Sequence, residues 1–166
     1  KGAKVKLVGI YHDESMMTVI HVEGSGISRV TDLSGRVLGD AIWGAAHAIF
    51  PVLAAKNGLD PKAVKWSIMS PAAKGPSLIA GKVDAITAYV TDFLAYEKGA
   101  TQVGKQLLQM KFADNGVDLY GNGVATTDQR LKENPALVRR FTKALYQGVA
   151  WAVENPDKAV SYFLSQ

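Results

Sequence analysis

Cysteine is absent from the 166 residues of this chain. Its absence excludes a disulfide framework, a thiolate nucleophile and a thiolate-bound metal, and it is compatible with a periplasmic location. No stretch approaches the roughly 20 apolar residues that a membrane-spanning helix needs, and no basic-then-apolar signal segment opens the chain. Because the sequence begins at Lys1 without Met and stops at Gln166 inside a helical pattern, we interpret it as a fragment or a processed product.

A large surplus of one charge sign is missing as well. The 19 basic and 15 acidic side chains leave a net charge of +4, and the basic residues are scattered singly among the acidic ones. This interleaving argues against a nucleic-acid partner and suits either a weakly anionic small ligand or simple solubility. With 48% hydrophobic and 20% charged residues, the composition predicts a folded domain with a sizeable core.

The motifs of catalysis and of cofactor binding do not occur either. No serine lies in the nucleophile-elbow pattern, and the three histidines fall on different predicted elements without the spacing of a zinc site. The acidic residues occupy turn and helix-cap positions, and neither of the common phosphate-binding glycine patterns is present. We therefore predict that the chain is not an enzyme and has no catalytic residue, no metal and no cofactor.

The middle of the sequence contains alternating strand and helix patterns. Strand-like runs at 36–40, 64–69 and 83–88 are separated by helical patterns. This rhythm predicts an α/β fold with a mostly parallel sheet flanked by helices. The first of these helices is expected over 45–57. The second is expected to begin near Pro76, because proline removes a hydrogen-bond donor and clashes with the preceding turn.

The two ends of the chain carry different patterns. Strand-like runs at 5–11 and 17–22 are joined across a polar turn. After Gly123 the pattern becomes helical throughout, and Thr126 is the expected cap of the first helix there. A stripe of apolar residues on the long helix that follows is predicted to be buried; it consists of Leu137, Phe141, Leu145 and Val149.

The loops that follow the predicted parallel strands are the place where open α/β sheets bind ligands. Trp43 and Tyr89 lie in two of these loops and are placed to sandwich a planar ligand, while free N–H groups near Ala45 attract an anionic or carbonyl group. The alternative is that both aromatic residues only pack their loops. Gly44, Ser70 and Thr91 lie in the same loops, and His12 with Asp13 forms a further candidate pair in the first polar turn.

Several short motifs occur in a fixed order along nearly the whole chain. They are Thr31–Gly35, Lys56–Pro61, Leu78–Ala85 and Tyr120–Gly123, followed by the two Glu-Asn-Pro triplets at 133–135 and 154–156. Each motif is weak alone, but their ordered co-occurrence is specific. In this order the sequence resembles the solute-binding proteins of ABC importers, and more narrowly the branch that binds alkanesulfonates, taurine, nitrate or thiamine pyrimidine precursors.

The resemblance implies a periplasmic-binding-protein-like fold with two lobes and a ligand cleft between them. Residues 1–23 are then part of the first lobe, 24–115 the complete second lobe, and 116–166 a helical return to the first. The amino-terminal part of the first lobe in family members has no counterpart here. Since the strands at 5–11 and 17–22 would lack sheet neighbours, we expect weakened ligand binding and self-association of the chain.

The resemblance also implies a function. A family member captures its ligand in the periplasm, or otherwise outside the cytoplasm, and delivers it to an ABC permease in the membrane. Some relatives are membrane-associated lipoproteins. Tyr120 and Asn122 are expected to face the same cleft as Trp43 and Tyr89. The ligand-binding candidates are therefore His12, Asp13, Trp43, Gly44, Ala45, Ser70, Tyr89, Thr91, Tyr120 and Asn122.

The start of the first helix bears on the ligand. Family members that bind small oxyanions commonly present hydroxyl residues there, whereas this chain has Ala45 and Ala46. The sequence therefore favours a small planar organic ligand, either similar to a thiamine pyrimidine precursor or an aromatic or organic anion. The alternatives are binding of alkanesulfonate, taurine or nitrate, an enzyme of pyrimidine-precursor synthesis with the same fold, and the ligand-sensing module of a regulator.

Overall fold

The computed structural model describes residues 2, 4–42 and 44–166. The chain forms two compact units, which we call unit one (Lys1–Asp13 with Tyr120–Gln166) and unit two (Glu14–Leu119). In the described ranges the strands are β1 Val5–Ile10, β2 Met17–Val22, β3 Val37–Asp40, β4 Lys65–Ile68, β5 Ala85–Tyr89, β6 Leu107–Lys111 and β7 Gly123–Thr127. The longer helices are α1 Ala45–Lys56, α2 Pro71–Ile79, α3 Phe93–Thr101, α4 Asp128–Glu133, α5 Pro135–Glu154 and α6 Pro156–Leu164.

Unit two is built on a mixed sheet with the strand order β4-β3-β5-β2-β6. β3 pairs in parallel with β4 and with β5, as the crossovers through α1 and α2 require. β2 pairs antiparallel with both β5 and β6, so within the described sheet it runs against the other four strands. The α/β fold class is confirmed. The predicted parallel arrangement is wrong for β2, because no crossover connection fixes the direction of this strand.

Hydrophobic residues cover both faces of this sheet. α1 contributes Phe50 and Leu53 to a cluster on one face, and Leu78 of α2 belongs to a second cluster. Neighbouring residues of β2 enter different clusters, Val19 the first and Ile20 the second, because successive side chains of a strand point to opposite faces. The helices of unit two therefore flank the sheet on two sides.

The lobe assignment of β2 is wrong. Residues 17–22 were expected to belong with the opening strand, but β2 lies inside the sheet of unit two, with a strand paired on each side. The chain passes from unit one to unit two after Asp13 and returns after Leu119, where the sequence predicted boundaries at 23/24 and 115/116. The polar turn at His12 and Asp13 is thus the point of passage rather than a hairpin turn.

The start of α2 also differs from the prediction. The helix begins at Pro71 and runs through Pro76, whereas the sequence placed its start near Pro76. Proline at the first helical position is favourable, and Pro76 costs one hydrogen bond that tertiary contacts offset. One such contact is at Gly75, where an added Cβ would lie 2.6 Å from Cδ1 of Tyr96. α2 and α3 therefore pack closely at this glycine.

Unit one consists of the antiparallel pair β1 and β7 together with α4, α5 and α6. The expectation that the chain is wholly helical after Gly123 is wrong, because 123–127 forms β7 against β1. The helix cap moves with it: the Thr127 hydroxyl, not that of Thr126, accepts the Arg130 N–H at 3.0 Å. None of the described helices combines the length and the apolarity that crossing a bilayer requires.

The apolar stripe on α5 is less buried than predicted. Within unit one, Leu137 and Phe141 are 39% and 60% exposed, and Leu145 and Val149 are only half-buried. On α6, Phe163 is 78% exposed. Helical periodicity locates an apolar face correctly, but it does not show whether a neighbouring element covers that face.

Gly123 allows β7 to approach β1, and Gly9 allows α5 to approach β1, where an added Cβ would lie 3.0 Å from the Tyr146 ring. A Cβ added at Gly123 would lie 2.5 Å from the carbonyl oxygen of Gly9. The register shifts between Leu7 and Gly9, which is a β-bulge in β1. Beside it, the Tyr146 hydroxyl of α5 donates to the Ile10 carbonyl. The strand pair and the long helix of unit one are therefore joined at one crowded point.

We expect Gly123→Ala to destabilise unit one by about 2 kcal/mol, because the new methyl group forces the two strands apart. Gly148→Ala is the matched control: it adds the same group inside α5, where nothing lies within 4 Å. That substitution should stabilise the helix by up to about 1 kcal/mol. Denaturant unfolding with hydrogen exchange resolved by residue measures both effects. Equal stability of the two variants would contradict the role of Gly123.

Candidate functional site

A cavity of about 720 Å³ lies in unit two at the carboxyl ends of β3, β4 and β5. Its wall is largely apolar and includes Met17, Ile42, Ile68 and Met69. This volume suits a small organic molecule, and the carboxyl edge of the parallel strands is where open α/β sheets bind ligands. We therefore take the cavity as the candidate site.

Four of the ten predicted residues line this cavity, namely Gly44, Ala45, Ser70 and Tyr89. Thr91 lies in the short turn Val90–Asp92 next to Tyr89 and is not among the lining residues. Trp43 lies outside the described residues.

The other four predicted residues, His12, Asp13, Tyr120 and Asn122, belong to unit one. There the His12 N–H donates to the Asn122 carbonyl at 3.2 Å, and the Gly121 N–H donates to the His12 carbonyl at 3.0 Å. These backbone bonds bring the two segments of unit one together. That all ten residues serve one ligand stays a prediction.

Asp40, at the end of β3, is the most buried charged group of the cavity wall, with 2% exposure. Its Oδ1 accepts the Ala41 N–H at 2.7 Å, and its Oδ2 accepts the His47 N–H at 3.2 Å. A Cβ added at Gly44 would lie 2.2 Å from Oδ2, so only glycine leaves room for the carboxylate. The sequence predicted free N–H groups near Ala45. This prediction is wrong for the His47 N–H, because that group donates to Asp40.

Lys74 of α2 reaches the same carboxylate. Its Nζ donates to Asp40 Oδ1 at 3.2 Å, and the two side chains are 10% and 3% exposed. Sequence reasoning missed this ion pair, since lysine is almost always exposed and spacing alone does not connect residues 34 positions apart. One signal in the sequence could have indicated the pair. Asp40 is an acidic residue at the carboxyl end of an apolar strand, and open α/β sheets bind ligands at that edge.

Two further polar groups line the cavity near Tyr89. Asp92 accepts the Tyr89 N–H through Oδ2 at 3.2 Å and so holds the turn after β5. The Tyr96 hydroxyl belongs to α3, and burial, followed by the charges of Asp92 and Asp40, raises the pKa of this phenol. Tyr96 is therefore a neutral group at physiological pH that is able to donate a hydrogen bond.

Thr87 on β5 is a fully buried lining residue whose hydroxyl has no hydrogen-bond partner among the described residues. Buried polar side-chain atoms are usually hydrogen-bonded, and an orphaned one at a cavity calls for a partner from outside the chain. Over the described ranges, no group of three or more His, Cys, Asp or Glu side chains is arranged to hold a metal ion.

We expect Lys74→Met to destabilise unit two by about 3 kcal/mol, because it leaves the buried Asp40 carboxylate without its counter-ion. Lys98→Met is the matched control, since Lys98 is exposed on α3 and should change stability by less than about 0.5 kcal/mol. The double variant Asp40→Asn/Lys74→Met should lose less free energy of unfolding than the sum of the losses in the two single variants. Urea unfolding of the four variants tests this, and strictly additive losses would contradict coupling within the pair.

Comparison with known proteins agrees with this architecture. A family model described as NMT1/THI5 like matches residues 1–159. The chain is similar to the periplasmic aliphatic sulphonate binding protein SsuA from Escherichia coli, with a TM-score of 0.79 and 17% identity over 96% of this chain and 53% of that one. It is also similar to the alkanesulfonate-binding protein SsuA from Xanthomonas axonopodis pv. citri bound to MOPS, with a TM-score of 0.71, 23% identity and the same coverage.

These likenesses show a periplasmic-binding-protein-like fold. The chain spans about half the length of the two solved structures, 53% in each case. A shorter match joins it to the riboflavin-binding protein RibY of Chloroflexus aurantiacus, with 40% identity over 42 residues, which is 25% of this chain and 12% of that protein.

Proposed function

The chain belongs to the NMT1/THI5-like family, and from that premise we propose that it is the substrate-binding component of an ABC importer. It captures a small, planar organic ligand. The observation that carries this proposal is the cavity at the carboxyl ends of β3, β4 and β5, with its apolar wall and a few buried polar groups. Such a combination binds a ligand by burial and orients it by a small number of hydrogen bonds.

Tyr89 supports a flat ligand. It stands at the end of β5 with 42% of its surface exposed and lines the cavity. An exposed aromatic ring beside an apolar wall is suited to stack on a planar molecule. Binding of alkanesulfonates is the second candidate, and the similarity to the two SsuA proteins favours it.

The proposal includes a place and a partner. The two SsuA proteins are named as a periplasmic and an alkanesulfonate-binding protein. By analogy with the first of these, this chain acts outside the cytoplasm, and it hands its ligand to an ABC permease in the membrane. The small net charge of +4 fits that role as well, since it gives no reason to invoke nucleic acid as a partner.

Native mass spectrometry of protein purified without refolding should reveal a retained small molecule. We expect Tyr89→Ala to weaken binding of that molecule several-fold, because aromatic stacking contributes about 0.5 to 1.5 kcal/mol beyond area burial. Tyr162→Ala is the control, since Tyr162 is 66% exposed on α6 in unit one. Titration calorimetry measures both variants. Unchanged affinity in Tyr89→Ala, or conversion of the molecule above its spontaneous rate, would count against the proposal.

We also propose that the 166-residue chain self-associates through unit one. The exposed apolar side chains of α5 and α6 support this, among them Phe141 and Phe163. Phe141→Lys should shift the sedimentation equilibrium towards monomer, because a charge on this face opposes burial against a second copy. Leu94→Lys, at a position 74% exposed in unit two, should have no effect. A monomeric parent chain at every concentration would refute self-association.

A further inference from the structure

We infer that the Asp40–Lys74 pair makes the cavity selective for neutral or cationic ligands with N–H groups and unfavourable for organic oxyanions. The inference rests on the proposed function, since it names the ligand class of the same cavity. It begins with the position of the carboxylate. Asp40 Oδ2 lies at the first turn of α1, bonded to the His47 N–H at 3.2 Å and packed against Gly44.

An incoming anion finds this position occupied. A helix N-terminus attracts anions through its free N–H groups and its dipole. Here the protein's own carboxylate uses the His47 donor, and the 2.7 Å bond from Ala41 to Oδ1 holds the carboxylate in place. A sulfonate or carboxylate placed beside it would meet a like charge within a few ångströms, in an environment that screens charge poorly.

Lys74, the cation in the wall, balances Asp40 and leaves no positive charge over for a ligand anion. Lys74 Nζ donates to Asp40 Oδ1 at 3.2 Å, so its charge is matched within the pair. Asp92 then remains as a second carboxylate, and the formal charges of Asp40, Lys74 and Asp92 add up to −1 for the lining residues. The raised pKa of Tyr96 is consistent with this, since its causes after burial are the charges of Asp92 and Asp40.

An independent observation points to a hydrogen-bonding ligand. The Thr87 hydroxyl is fully buried, lies in the cavity wall and has no partner among the described residues. A hydroxyl both donates and accepts, so an N–H or a ring nitrogen of a ligand satisfies it. The carboxylates of Asp40 and Asp92 are acceptors in the same wall, so a ligand with N–H groups complements it.

Three nearly isosteric probes test this preference: benzoate, benzamide and the benzamidinium cation. Each is titrated at millimolar concentration into the isotope-labelled chain, and the amide signals of Ala41, Ala88 and Tyr89 are followed by NMR. We expect benzamidinium and benzamide to shift these signals with dissociation constants roughly tenfold or more below that of benzoate. Tighter or equal binding of benzoate overturns the inference and leaves the proposed capture of a small ligand standing.

Variants of the pair test its role directly. Asp40→Asn leaves Lys74 as an unmatched cation, so the benzoate-to-benzamidinium affinity ratio should rise about tenfold. Lys74→Gln should move the ratio in the opposite direction. Asp60→Asn is the charge-matched control, because Asp60 is exposed and its carboxylate accepts only the nearby Lys62 N–H within the described residues.

The remaining outcomes are also decisive. If Asp40→Asn loses its dispersed NMR spectrum, Lys74→Gln carries the test, and an unchanged ratio in it overturns the inference. If Asp60→Asn changes the affinity ratio as strongly as the variants of the pair do, general surface charge is the cause and the inference fails. If no probe shifts the cavity signals, the inference fails, and the proposed function is decided separately by native mass spectrometry and Tyr89→Ala.

Discussion

The buried carboxylate of Asp40 is the constraint on which the ligand-facing side of unit two depends. It ends β3, accepts N–H groups from Ala41 and His47, and pairs with Lys74. One side chain therefore links a strand, the loop after it, the first turn of α1 and the first turns of α2. A buried charge without such partners would be far too costly to keep. The need to satisfy it explains why Gly44 has no side chain, since a Cβ there would lie 2.2 Å from Asp40 Oδ2.

This arrangement is costly as a means of stability alone. Replacing a buried ion pair with apolar residues of similar volume is often neutral or stabilising, so such a pair is weak evidence for a purely structural role. The two charges lie in the wall of a mostly apolar cavity of about 720 Å³ rather than inside the core clusters. Placement at a cavity is what a role in ligand choice requires. The pair thus stabilises the fold through its hydrogen bonds, and the inferred ligand selectivity depends on its carboxylate at the first turn of α1.

Much of unit two was predictable from local patterns. Helical spacing over 45–57 predicted α1 within one residue of its observed range, Ala45–Lys56. The helices between successive strands gave the parallel pairing of β3 with its two neighbours. The direction of β2 and the existence of β7 were not predictable in this way, because both depend on which distant strand each one pairs with. Residues that pair over such distances leave no periodic signal in their own segment.

The two errors around α2 have one cause. If the helix began near Pro76, Lys74 would lie in the loop before it, where an exposed lysine is the normal expectation. The helix begins instead at Pro71, which puts Lys74 in its first turns, 3.2 Å from Asp40. Local propensity opposes this path because of Gly75 and Pro76, but the close approach of Tyr96 to Gly75 and the ion pair both act to hold it. Tertiary contacts thus outweigh local propensity in the first turns of α2. The same turns place Lys74, the one cation among the described lining residues, in the wall of the candidate site.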